Sequence, residues 1–139
     1  MIDEVVEARI REIRDALDIL KNIVSKNFSE LTLYEKLSIR YLVIQLVEAA
    51  ASICVHILLN VYGEIVEGFP ECFVRLKFKG IIPEDLALNL ASVARLRNLL
   101  VHRYWVISDE KVYESVKREL KDFEKFIFYI RKFVENKRP

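Results

Sequence analysis

Residues 42–61 read LVIQLVEAAASICVHILLNV. Twenty residues this apolar are long enough to cross a bilayer, so their reading decides the fold. Gln45, Glu48, Ser52, His56 and Asn60 interrupt the run. A carboxylate near the centre of a span costs about 3 kcal/mol on insertion scales. The stretch is therefore read as the central helix of a bundle, apolar on most faces because neighbours surround it. Upstream, Thr32 stands three residues before Glu35, the spacing of a capping box. Downstream, Gly63 suits the left-handed residue that follows a helix. The helix between these signals spans about 30 residues, roughly 45 Å.

Outward from this helix, four more follow from periodicity and end signals. Ile2 to Lys26 carries Val6, Ile10, Ile13, Leu17, Leu20 and Val24 at spacings of three and four, one buried stripe. Asn27-Phe28-Ser29 ends it. Pro70 and Gly80 bound a short helix holding Phe73, Leu76 and Lys77. Pro83, with Glu84 and Asp85 in the first turn, opens a fourth helix that runs to about Tyr104. Ser108-Asp109 caps a last helix, Glu110 to about Asn136, with the stripe Val112, Val116, Leu120, Phe123, Phe126 or Ile127, and Ile130. No segment alternates as a strand does. The expectation is an all-α antiparallel bundle of four to five helices, in a single domain of residues 1–139.

Composition narrows the function classes. The chain has 139 residues, 53% hydrophobic and 31% charged, which excludes disorder. Three Gly and three Pro are too few for the frequent turns of a β-sandwich. Cys54 and Cys72 sit among apolar neighbours and read as buried free thiols, not a disulfide scaffold. Cys54 and His56 are two apart, on nearly opposite sides of a helix, so no zinc site is expected. The N-terminus has no basic region followed by an apolar one, as a signal peptide needs. A cytoplasmic location without a membrane partner is the expectation.

The net charge is +1, from 22 basic and 21 acidic residues, which gives no global reason to expect a nucleic-acid partner. Divided along the chain, the balance changes. Residues 1–30 carry 7 acids and 5 bases, and residues 111–139 carry 9 bases and 5 acids. Arg75, Lys77 and Lys79 form a second basic run. Such runs are ordinarily solvated faces.

Residues 94–105, ARLRNLLVHRYW, carry the chemistry. With Leu96 at zero and about 100° per residue, Leu100 and Leu99 fall beside it, and these three are expected to face the core. Arg97 and His102 flank the opposite face, about 140° apart, with Asn98 between them and Ala94 one turn back. One helix does not hold Arg97 and His102 in line. Either the Arg side chain reaches round, or a second copy of the helix completes the site. Both residues could simply be cations at a helix C-terminus. As a pair they could also act on phosphate. Histidine exchanges a proton near neutral pH, and arginine stabilises the charge that builds on a pentavalent phosphorus. RNA supplies its own nucleophile, the 2′-hydroxyl, so such a pair needs no metal.

Arg97-Asn98-Leu99-Leu100-Val101-His102-Arg103-Tyr104 resembles the Arg-x4-His-x-Tyr signature of the HepT-like toxins, a group within the HEPN superfamily of helical ribonucleases. The likeness extends to helix order, Glu48 in the second helix, the Gly63 break, the Pro70 short helix, the Lys79-Gly80-Ile81-Ile82 turn and the Asp-capped last helix. It covers nearly the whole chain. The resemblance implies an all-α HEPN bundle and a homodimer in which Arg97 and His102 of both protomers share a cleft. It implies the toxin of a type VII toxin–antitoxin system, a metal-independent endoribonuclease needing no cofactor. The partner would be a MntA-like minimal nucleotidyltransferase antitoxin, able to transfer AMP to Tyr104. His102 would be the general base or acid, Arg97 would hold the phosphate, and Asn98 would orient either. Arg95, Arg103, Lys77 and Lys79 would form an RNA-contacting rim. Glu48 would support the site by pairing with a cation such as Arg97 or Arg95. A second reading stays open: a non-catalytic HEPN protein that binds nucleotide, RNA or the partner.

Overall fold

The computed structural model describes residues 2–137; Met1, Arg138 and Pro139, which complete the expected 1–139 domain, lie outside the described residues. Five α-helices follow in order: α1 (Ile2–Val24), α2 (Leu33–Tyr62), α3 (Phe69–Phe78), α4 (Glu84–His102) and α5 (Asp109–Asn136). Short 3₁₀ turns fill Phe28–Glu30 and Tyr104–Val106. No strand occurs among the described residues.

The central helix forms where its end signals place it. Thr32 Oγ1 accepts from Glu35 N at 3.1 Å while Glu35 Oε1 accepts from Thr32 N at 3.0 Å, satisfying two donors that a helix start leaves open. Gly63 ends it at φ 66°, a conformation that costs glycine nothing. By length and composition α2 could cross a membrane. Most of its apolar residues from Ile39 to Leu58 are instead buried, Tyr41 and Val55 being exposed, and α2 packs against each of the other four helices. Burying one Leu or Ile side chain stabilises by about 1.5–3 kcal/mol, so this one helix anchors the core.

The stripes of α1 and α5 enter the same core, along with Phe73 and Leu76 of α3. Phe73 meets Phe126 edge to face, with ring centroids 5.8 Å apart. Lys21 pairs with Glu124, and Arg131 with Glu7, so α1 and α5 run antiparallel. Both cysteines are buried and free; burial, with Cys72 beside it, pushes the Cys54 thiol well up.

The expected boundaries shift at three places. α1 stops at Val24, before Lys26. α4 stops at His102, and Tyr104 belongs to the following 3₁₀ turn. α5 starts at Asp109, because Ser108 alone is the cap, its Oγ accepting from Lys111 N at 3.2 Å. One feature of α5 has no apolar logic: Glu119 and Asp122 are buried, at 9% and 2% exposure.

Candidate active site

Arg97 does not flank an open face. Leu86, Leu90 and Val93 are buried, and Arg97 continues their stripe at spacings of four, three and four. Ala94, expected on the open face, is fully buried, and Leu99, expected in the core, is only half-buried. The core lies against α2 and α3 as well as α5, so the buried arc of α4 is turned towards Arg97. Reading the Leu residues alone placed it too far round.

At the end of this stripe Arg97 is gripped from three sides. Nη2 donates to Glu48 Oε2 on α2 at 2.7 Å, and Nη1 donates to Asn98 Oδ1 at 3.0 Å. The guanidinium lies over the Phe69 ring, 4.7 Å from its centroid. Nε is buried with no partner among the described residues. The Arg97 side chain is 17% exposed and that of Glu48 48%. Glu48 therefore pairs with a cation as expected, but it is not a buried acid; it also lines an open cleft of about 290 Å³ between α1 and α2. Asn98 spends its carbonyl oxygen on Arg97, which leaves its NH2 group free to orient something else.

His102 is the last residue of α4 and is exposed, with no side-chain partner among the described residues. Arg103, the cap, and Arg95 are likewise exposed. Tyr104 is 63% exposed and sits edge to face with Trp105, centroids 5.3 Å apart. The turn that carries both is fastened by Arg40 of α2. Its guanidinium donates to Tyr104 O at 3.0 Å, Ile107 O at 2.7 Å and Asp109 Oδ1 at 2.5 Å. The sequence reading missed Arg40 and Phe69. Arg40 is legible as a cation interrupting an apolar helix; nothing local marks Phe69.

Lys77 and Lys79 fall elsewhere. Lys77 Nζ is 3.7 Å from Glu84 at the start of α4, and Phe69 at the other end of α3 meets Arg97, so α3 and α4 are antiparallel. Glu84 and Arg97 are 13 residues apart, about 20 Å along the helix. Lys79 and Arg75 both pair with Glu64, and Arg75 also with Glu71. Those pairs hold the Glu64 carboxyl below its ordinary value, Lys79 contributing most. The basic run is thus a set of ion pairs at the far end of α4, not a free rim beside Arg97.

Solved structures that share the fold include the following. A toxin–antitoxin crystal structure with AMP-PNP matches at TM-score 0.84 and 23% identity, covering 93% of this chain and 98% of that one. The tri-AMPylated Shewanella oneidensis HEPN toxin in complex with its MNT antitoxin matches at 0.84 and 23%, covering 92% and 97%. The cytosolic protein of unknown function YutE from Bacillus subtilis matches at 0.74 and 14%, covering 91% and 90%. At these identities the likeness is one of fold. No curated protein matches the sequence. The sequence profile of the ribonuclease HepT-like family matches residues 10–130, and the chain belongs to that family.

Proposed function

We propose that the chain is the toxin of a type VII toxin–antitoxin pair, a cytoplasmic, metal-independent endoribonuclease that works as a homodimer. The observation that carries the reading is the contrast between two residues five apart on α4: Arg97 is locked by Glu48, Asn98 and Phe69, while His102 stands exposed and unpaired among the described residues. A preorganised cation and a free imidazole at the end of one helix, completed by a second copy of the chain, suit attack by the RNA 2′-hydroxyl. His102 takes the 2′ proton, the 2′-oxygen bonds to phosphorus, and the bond to the 5′-oxygen breaks. The His102 of the second protomer protonates that leaving oxygen, giving a 2′,3′-cyclic phosphate and a 5′-hydroxyl. Arg97 balances the charge on the phosphoryl oxygens, and Asn98 orients Arg97 through its carbonyl. Arg95 and Arg103 serve the RNA from the rim; Lys77 and Lys79, paired and distant, contribute less.

The partner we propose is a MntA-like nucleotidyltransferase. The Tyr104 hydroxyl would attack the α-phosphorus of ATP held by that enzyme and release pyrophosphate. The AMPylated state of the similar Shewanella oneidensis HEPN toxin and the exposure of Tyr104 support this reading. The test is incubation of the purified protein with RNA in EDTA, beside His102→Ala. Expected are cyclic-phosphate ends from the wild type and none from the variant. Equal degradation by both, or by neither, overturns the enzymatic reading; a tight partner complex without cleavage would leave a binding protein.

A further inference from the structure

A groove of about 220 Å³ runs between α4 and α5, closed at one end by Ile107. Arg95 and Arg118 line it from opposite helices, with Leu96 and Leu99 on one wall and Glu119 beneath. Arg95, Leu99 and His102 stand at i, i+4 and i+7, on one face of α4. Arg95 is therefore about 10 Å from His102 along the helix, on the same face.

The charge in the groove favours an anion. Arg95 has no side-chain partner among the described residues, and Arg118 Nε donates to Glu119 Oε1 at 3.0 Å. Glu119 Oε2 and Asp122 Oδ2 are both buried with no donor to satisfy them. Among the residues that line the groove, two guanidinium groups face one carboxylate, Glu119. The walls are apolar, and Leu99 is the residue of its stripe that the core leaves half open. Arg40 fixes the turn at Ile107, so the end wall is formed before anything binds.

We propose that this groove is the subsite for a nucleotide neighbouring the scissile phosphate, with Arg95 and Arg118 taking its phosphate and the Leu96, Leu99 and Ile107 wall covering the face of its base. The proposal rests on the ribonuclease reading. It requires single-stranded RNA, because a base inside a duplex presents no free face to the wall.

The experiment uses the His102→Ala protein and a fluorescein-labelled single-stranded RNA, followed by anisotropy across a salt series. Arg95→Ala and Arg118→Ala are each expected to weaken binding about tenfold and to lower the slope of log K against log salt by about 0.7. Leu99→Ala is expected to weaken binding with the slope unchanged, in protein whose melting temperature confirms folding. Arg14→Ala, exposed on α1, is the control. If wild type cleaves RNA but the two Arg substitutions leave binding unchanged in the His102→Ala protein and cleavage unchanged with His102 intact, the groove proposal is overturned and the ribonuclease reading stands. Loss of partner capture without loss of RNA binding makes the groove a protein-docking surface and also overturns it. Neither binding nor cleavage by wild type removes both.

Discussion

Arg97 of α4 donates to Glu48 of α2 at 2.7 Å, across 49 residues of sequence, so the guanidinium of the motif is aimed by the central helix as well as by Asn98 of its own. Glu48 is half exposed, and an exposed pair of this kind contributes about 1 kcal/mol or less to stability. Glu48→Ala should therefore leave the melting temperature within a few degrees of wild type. Single-turnover RNA cleavage should fall at least tenfold, with Glu48→Gln in between because it keeps an acceptor. A large drop in melting temperature with cleavage intact would make the pair structural.

Phe69 acts on the same guanidinium from its other side. A cation over an aromatic face is worth about 0.5–2 kcal/mol, rising as water is excluded. Arg97 is mostly shielded here. Phe69→Leu keeps apolar volume and removes the ring face; cleavage should drop several-fold and recover in Phe69→Tyr. Equal activity of Leu and Tyr variants would show that only bulk matters at this position.

The fold was largely legible because its signals are local. Thr32 with Glu35, Gly63, Gly80 and Ser108 mark helix ends through bonds made within a few residues, and Pro70 marks one through its fixed φ. The motif residues were legible too, since Arg97, Asn98 and His102 share one short segment. What they touch was only partly so. Glu48 was expected to meet a cation and does, but Arg40 and Phe69 reach their partners across 67 and 28 positions of sequence, which no periodicity encodes. The basic run failed as a rim for the same reason. Its lysines were counted along the chain, whereas Glu64 and Glu84 neutralise them in space.

The buried acids of α5 predict a pH dependence. Burial first, then the hydrogen bond with Asp122, raises the Glu119 carboxyl above its ordinary 4.5; Arg118 opposes this. The folded chain thus keeps a proton that the unfolded chain gives up at lower pH. Unfolding releases it between the two values, so this contribution to stability is full below 4.5 and is lost as pH rises through the raised value. Urea midpoints measured from pH 5 upward should fall in wild type. The fall should be shallower in Asp122→Asn, where Glu119 gains an amide donor. A steeper fall in that variant would contradict the part assigned to Asp122 in raising Glu119.

Arg40 predicts how exposed Tyr104 can be both fixed and reachable. Its guanidinium binds two carbonyls and one carboxylate of the turn, so the backbone at Tyr104 is held while the phenol points to solvent. Arg40→Ala frees a turn that lies outside the core, so the cost falls on local order more than on global stability. The loss should appear first as local opening. Amide exchange at residues 104–107 should accelerate far more than in α2, while the melting temperature falls by only a few degrees. With the nucleotidyltransferase and ATP, intact mass should show AMP added to wild type and none at position 104 in Tyr104→Phe. In Arg40→Ala the rate of addition should drop although the acceptor hydroxyl is untouched. If addition proceeds at the wild-type rate in Arg40→Ala, the partner shapes the turn itself and the clamp serves stability alone.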